Sequence, residues 1–152
     1  MEDTWQLHHV GIPVRDLDKS VKDYKTLGMA RFQPEFLIDS SKIAEYLVYG
    51  KIPDPVVKTR GAMGKMGPLG VELLQPVAGD TVHKELLEST GEGIGHIAYT
   101  VDDLETETAR MVERGFPIIL SIRHAGQTKP GAVYLDTRSK FSNLIIELIQ
   151  AT

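Results

Sequence analysis

The chain has no cysteine, which excludes disulfides, thiolate nucleophiles and cysteine-based zinc sites. It has no excess of basic residues: 17 Lys and Arg stand against 21 Asp and Glu, for a net charge of −4. No broad cationic surface follows, so nucleic acid is not expected as a partner. No stretch approaches the roughly 20 consecutive apolar residues that a membrane helix needs. The opening Met1-Glu2-Asp3-Thr4 is acidic and lacks an apolar segment, so no signal peptide is expected and a cytoplasmic location is. What remains is a 152-residue chain, 41% hydrophobic, long enough for one domain or for two small halves sharing a core.

Its most informative content is an internal echo. Val71-Glu72-Leu73-Leu74-Gln75 nearly repeats as Ile146-Glu147-Leu148-Ile149-Gln150. Upstream, His9-Val10-Gly11-Ile12 and Val14-Arg15-Asp16-Leu17 are echoed by His96-Ile97-Ala98-Tyr99 and Val101-Asp102-Asp103-Leu104. Each half thus begins on a histidine-bearing strand and ends on a glutamate-bearing strand. A duplicated unit can bring its two copies together around one site.

The order of elements reads as strand, helix, strand, strand, strand, twice over, which argues an α+β fold. Strand Leu7 to Val14 leads to a helix capped by Asp16 or Asp18 and stopped by Gly28. Arg31 to Ile38 is a strand that Ile43 to Tyr49 is expected to extend. Lys58 to Met66 is weakly strand-like, and Val71 to Val77 closes the first half. Ala78 to Gly95 connects the halves through a short helix. Strand Ile94 to Val101, a helix from about Leu104 to Arg114, and strands at Pro117–Arg123, Ala132–Asp136 and Leu144–Gln150 complete the chain. The expected organisation is one domain, 1–152, with a first module at about 5–77, a linker at 78–93 and a second module at about 94–150.

Strand alternation sorts the faces. His9 shares a face with Gly11 and Pro13, and His96 with Ala98 and Thr100. Val10, Ile12, Val14 and Ile97, Tyr99, Val101 form bulkier faces suited to packing on helices. The small-residue faces leave room for a ligand. Glu72 and Glu147 are lone charges in apolar runs, and a buried carboxylate wants a cation, a partner or a proton. Two His and two Glu at matched positions of a repeat are a plausible shell for a divalent metal. His8 competes with His9, but its face belongs to the core set. His83 and His124 read as surface residues. Lys58, Arg60 and Lys65 cluster in the first half, and Arg123, Lys129 and Arg138 in the second. Each set is a candidate for a substrate phosphate or carboxylate, and ordinary solvated charge accounts for either equally well.

At these residues the chain resembles the vicinal oxygen chelate superfamily, which includes glyoxalase I, methylmalonyl-CoA epimerase, bleomycin-resistance proteins and extradiol dioxygenases. The resemblance covers nearly all of residues 5–150. It rests on the strands already quoted together with Leu27-Gly28-Met29, Gly93-Ile94-Gly95-His96-Ile97 and Tyr134-Leu135-Asp136. It implies paired βαβββ modules forming an open, cupped sheet around one divalent metal: cobalt, nickel, zinc, manganese or iron. The implied ligands are His9, Glu72, His96 and Glu147, with Glu147 also serving as catalytic base. The Gly91-Glu92-Gly93 crossing and Glu72-Leu73-Leu74-Gln75-Pro76 look most like the epimerases. The carboxylate base of that pattern is missing, however, since counting back from Gly67 lands on Val56. Glu45, or Asp39, is the substitute candidate. The function implied is a metal-dependent epimerase or isomerase that removes a proton next to a carbonyl. The alternatives are a glyoxalase I-like lyase, an iron dioxygenase or a non-catalytic resistance protein. The expected partners are an acyl-CoA or 2-oxo compound and a second copy of the chain, with Trp5 at the dimer interface or the core edge.

Overall fold

A computed structural model describes residues 4–28 and 31–152, so Met1 to Asp3 and the Met29 of the Leu27-Gly28-Met29 motif lie outside the described residues. The strands are β1 (Gln6–Pro13), β2 (Arg31–Phe32), β3 (Phe36–Asp39), β4 (Glu45–Val48), β5 (Lys58–Met66), β6 (Leu69–Ala78), β7 (His96–Val101), β8 (Ile118–Arg123), β9 (Ala132–Leu135) and β10 (Ile145–Gln150). The helices are α1 (Leu17–Thr26), α2 (Val82–Thr90) and α3 (Leu104–Glu113), with a 3₁₀ turn at Ser40–Lys42. Among the described residues, all ten strands join one sheet in the order β2-β5-β6-β1-β7-β10-β9-β8-β4, with β3 also paired to β5. The glutamate strands flank the histidine strands: β6 runs parallel to β1, and β10 parallel to β7, while β1 and β7 meet antiparallel at the centre.

The sheet is open and strongly curved. Asp39 and Glu45 end and begin strands at opposite ends of the sheet, yet six residue steps join them. Six steps reach at most about 22 Å. Eight flat inter-strand gaps would need about 38 Å. The sheet therefore curls into a cup whose two ends approach one another.

The cup's outer face carries two helices. Leu17 of α1 packs with Val10, Val71 and Leu73 of the sheet. Leu104, Met111, Ile146 and Leu148 pack under α3, where Trp5 lies against the core edge with its ring 5.6 Å from Tyr99. The echoed sequence also builds echoed caps. Asp16 accepts from the Lys19 amide and Asp103 from the Thr106 amide, as N-caps should. The first helical amides, Leu17 and Leu104, donate to Gln75 and Gln150, each at 3.0 Å. The glutamine of each Glu-x-x-Gln repeat thus ties its strand to its helix, three residues beyond the glutamate.

Two expectations are corrected and one is strengthened. Ile43 to Tyr49 does not extend the preceding strand: the 3₁₀ turn, capped by Asp39, breaks the chain, and β4 crosses to pair with β8. The first half therefore has more strands than the repeat predicts. Lys58 to Met66 is a full nine-residue strand, because every residue from Lys58 to Met66 has a partner on β6. His83 is 2% exposed, since α2 packs inside the cup, where Val82 and Leu86 meet Tyr46, Leu120 and Tyr134. Among the described residues, no helix is long and apolar enough to cross a membrane.

Candidate metal centre

Four side chains meet on the inner face of the cup. His9 comes from β1, Glu72 from β6, His96 from β7 and Glu147 from β10, and their ligand atoms all lie within 4.8 Å of one another. The alternation that sends Val10, Val71, Ile97 and Ile146 outward sends these four inward. His9 Nε2 lies 3.2 Å from Glu72 Oε2 and 3.4 Å from Glu147 Oε2. His96 Nε2 lies 3.5 and 3.2 Å from the same two oxygens. The two imidazole Nε2 atoms are 3.1 Å apart. Both Oε2 atoms are buried and lack a well-directed hydrogen bond.

This arrangement fits a metal. Donors about 2.0–2.1 Å from a tetrahedral ion stand about 3.3–3.4 Å from one another. Five of the six pair distances, at 3.1 to 3.5 Å, bracket that value. Two imidazoles and two carboxylates suit zinc and its first-row neighbours. The two buried Oε2 atoms are the strongest sign, because they face only the two imidazoles, and once those are neutral the pair of carboxylates needs another cation.

Electrostatics agree. Burial pulls the His9 pKa down, but the Glu147 and Glu72 carboxylates override it and raise the pKa from 6.5 to about 9. His96 is likewise raised by the two glutamates against its burial. Burial pushes Glu72 and Glu147 up, and the imidazoles of His9 and His96 reverse this, holding both well below the usual carboxylate range. In metal-free protein the raised His9 stabilises the fold fully below pH 6.5 and loses that effect as pH climbs through about 9. The depressed carboxylates contribute above their ordinary pKa and lose it on acidification. These are two ends of one interaction, so the metal-free protein should be most stable between about pH 4.5 and 6.5. Metal needs neutral imidazole, so the rise in melting temperature on adding zinc should grow from pH 6 to pH 9. Thermal melts in chelator and in zinc test this; a metal-free melting temperature that rises between pH 6.5 and 9 contradicts it.

Two further histidines complete the surroundings. His8 is not on the core face: the pairing of β1 with β7 shifts register between Leu7 and His9, and the His8 ring is exposed. Its Nδ1 lies 2.7 Å from His9 Nδ1, which would fix the ring orientation of a ligand histidine. His83 stands 6.0 Å from the His96 ring and 5.8 Å from Tyr134, with its pKa lowered by burial to about 4. No spacing signal pointed to His83, because the short helix that carries it was not placed inside the cup.

Glu45 is not among the four residues that converge. It lies on β4 opposite Arg123, with Arg123 Nη2 3.7 Å from its Oε2, while its neighbour Tyr46 takes the inward position. Asp39 is spent on the 3₁₀ turn, accepting from Ser41. Most of the candidate anion-binding cations are also engaged. Arg60 binds Asp18 and Glu35, Arg138 binds Asp136 and Glu85, Lys58 faces Asp39, and Lys129 pairs with Glu105.

Residues 8–134 match the profile of the glyoxalase/bleomycin resistance protein/dioxygenase superfamily. The chain belongs to that superfamily. No curated protein sequence matches it. Among solved structures, methylmalonyl-CoA epimerase from Mycobacterium tuberculosis superposes with a TM-score of 0.66 at 22% identity, covering 97% of this chain and 88% of that one. A hypothetical protein from Bacillus halodurans C-125 gives 0.69 at 18%, covering 99% and 96%. A variant of Streptomyces coelicolor methylmalonyl-CoA epimerase in complex with 2-nitronate-propionyl-CoA gives 0.66 at 21%, covering 97% of each chain. At these identities the likeness establishes a glyoxalase-like fold and leaves the reaction to be argued from the site.

Proposed function

We propose that this member of the superfamily is a divalent-metal-dependent isomerase or lyase that removes a proton next to the carbonyl of a small acyl or 2-oxo substrate. The observation that carries the reading is the convergence of His9, Glu72, His96 and Glu147 with two buried carboxylate oxygens lacking directed donors. An ion held by these four side chains would polarise the substrate carbonyl and lower the cost of negative charge on its oxygen. The proton must then pass to a residue of this chain. With Glu45 turned to Arg123, the cluster's own carboxylates are the bases within reach, and Glu147 is the one assigned. His9 and His96 hold the cluster's geometry, and His8 steadies His9. The buried inner face keeps water from competing for the proton.

The epimerase-like version is supported by solved neighbours that bind methylmalonyl-CoA or an analogue. The glyoxalase-like version is favoured by a specific observation: both carboxylates sit in the cluster, while the candidate opposing base Glu45 is paired with Arg123. Transfer of deuterium from solvent to the carbon next to the carbonyl, followed by NMR, separates the two. Methylmalonyl-CoA and the methylglyoxal–glutathione adduct are the substrates to compare. Glu147→Gln should slow exchange by 100-fold or more, whereas Glu45→Gln should leave it within twofold. Metal-loaded protein that exchanges neither substrate, yet binds either one equally well in chelator, makes this a binding protein and overturns the enzymatic reading.

A further inference from the structure

A cavity of about 660 Å³ opens beside the cluster at the lip of the cup, lined by His8, Met63, Gly70, Gln33, Arg31 and Lys65 among others. It adjoins the cluster directly. His8 touches His9, and Met63 stands opposite Glu72 across β5 and β6. One row of backbone partners runs Arg31, Lys65, Gly70, His9 across four neighbouring strands. Gly70 has no side chain, so nothing at its position walls Lys65 off from His9. An added Cβ at Gly70 would lie 2.5 Å from the His8 carbonyl oxygen, so the gap is fixed by close strand packing.

Arg31 and Lys65 face each other as direct partners on antiparallel strands. Like charges in that relation destabilise a sheet. The other cations carried on strands, Lys58, Arg60 and Arg123, each pair with a carboxylate. Among the described residues, neither Arg31 nor Lys65 has an ion pair. A cationic pair left uncompensated on the wall of a cavity is an arrangement that an anion would complete.

We propose that Arg31 and Lys65 form an anion subsite for the substrate of the proposed metal centre. The substrate class is then a compound with a chelating carbonyl end and a phosphate or carboxylate a few bonds away. Backbone spacings of about 10 Å from His9 to Lys65 and about 14 Å to Arg31, shortened by two long side chains, suit that separation. The larger cavity, about 800 Å³, lies against α3 on the outer face; none of the four cluster residues lines either cavity, but only the one at the lip reaches the cluster's neighbours His8 and Met63. The inference rests on the metal reading for the chelating end only.

The test is calorimetric binding to zinc-loaded protein of three hydroxamates: butanohydroxamate, glutarate monohydroxamate and 4-phosphobutanohydroxamate. The anionic probes should bind the parent at least tenfold more tightly than the neutral one, and the tighter of the two names the group. In an Arg31→Gln/Lys65→Gln double variant that advantage should fall below twofold. A charge-matched Lys22→Gln/Lys25→Gln variant on α1 should keep it. Equal binding of all three probes to the parent, or an advantage that survives in the Arg31/Lys65 variant, overturns the subsite. If the protein retains no metal, amide NMR titration of the metal-free chain with inorganic phosphate decides the point alone. Saturable shifts at Gly64, Lys65 and Gly70 that the double variant lacks support the subsite, and their absence sinks it.

Discussion

Replacing His9 and His96 together with alanine should reduce metal content from near one ion per chain to below a tenth. Two of four ligand atoms disappear, and the remaining pair, Glu72 and Glu147, are like charges within 4.8 Å of each other. Without imidazoles beside them the two buried carboxylates lose the interactions that hold their pKa values down, so the variant should also take up protons and be less stable at neutral pH than the metal-free parent. Elemental mass spectrometry after equilibration with zinc, cobalt, nickel and manganese, followed by dialysis, measures the content. Circular dichroism confirms that the variant is folded. Glu45→Gln is the matched control and should retain the parent's metal. A parent that emerges metal-free from every ion would remove the basis for metal-dependent chemistry in this cup.

Gly11→Ala should damage the same centre without touching a ligand. Gly11 and His96 are direct partners on β1 and β7, and a Cβ at position 11 would lie 1.8 Å from His96 Cε1 and 2.2 Å from its Nδ1. The ring cannot swing aside freely. It is fully buried, with the Tyr134 ring at 5.1 Å and His83 at 6.0 Å. Overpacking of this kind costs on the order of 1–3 kcal/mol or more. Here the strain falls on the atom group that sets Nε2. The expected result is a lowered melting temperature together with a metal affinity weakened by 100-fold or more, read by competition against a chromogenic chelator. Metal affinity within threefold of the parent would show that the ring has room to move and that Gly11 is dispensable.

Gly11 also shows how far the sequence could be read. Its small side of β1 was legible by alternation, as was the face shared by His9 and His96 with small residues, while Glu72 and Glu147 stood out as lone charges in apolar runs. The use of the vacant space was not: at Gly11 it admits the His96 ring, and the open cavity lies further out, beside Gly70 and Met63. Alternation failed at His8 because a register shift has no signature in the residues themselves. His83 was hidden because the helix that carries it gives its own periodicity but not the surface it docks on. Lys65 was seen only as one of three neighbouring cations. Which of them lacks a carboxylate depends on Asp18, Glu35 and Asp39, and only the fold brings those residues near. Arg31 was missed because its partner relation to Lys65 crosses 34 positions of sequence, from 31 to 65.

The crossing of β4 to β8 constrains how the protein is made. During synthesis, residues 45–48 leave the ribosome long before residues 118–123, so their edge has no partner until the second half is nearly complete. The pairing spans a long stretch of sequence, a separation that slows closure of the sheet. The two halves share a common plan, but this strand belongs to one half by covalent linkage and to the other by hydrogen bonding. A fragment cut in the Ala78–Gly93 connection would strand β4 on the wrong piece. The two halves are in this sense mutually dependent, and neither can be expressed alone without exposing an adhesive edge.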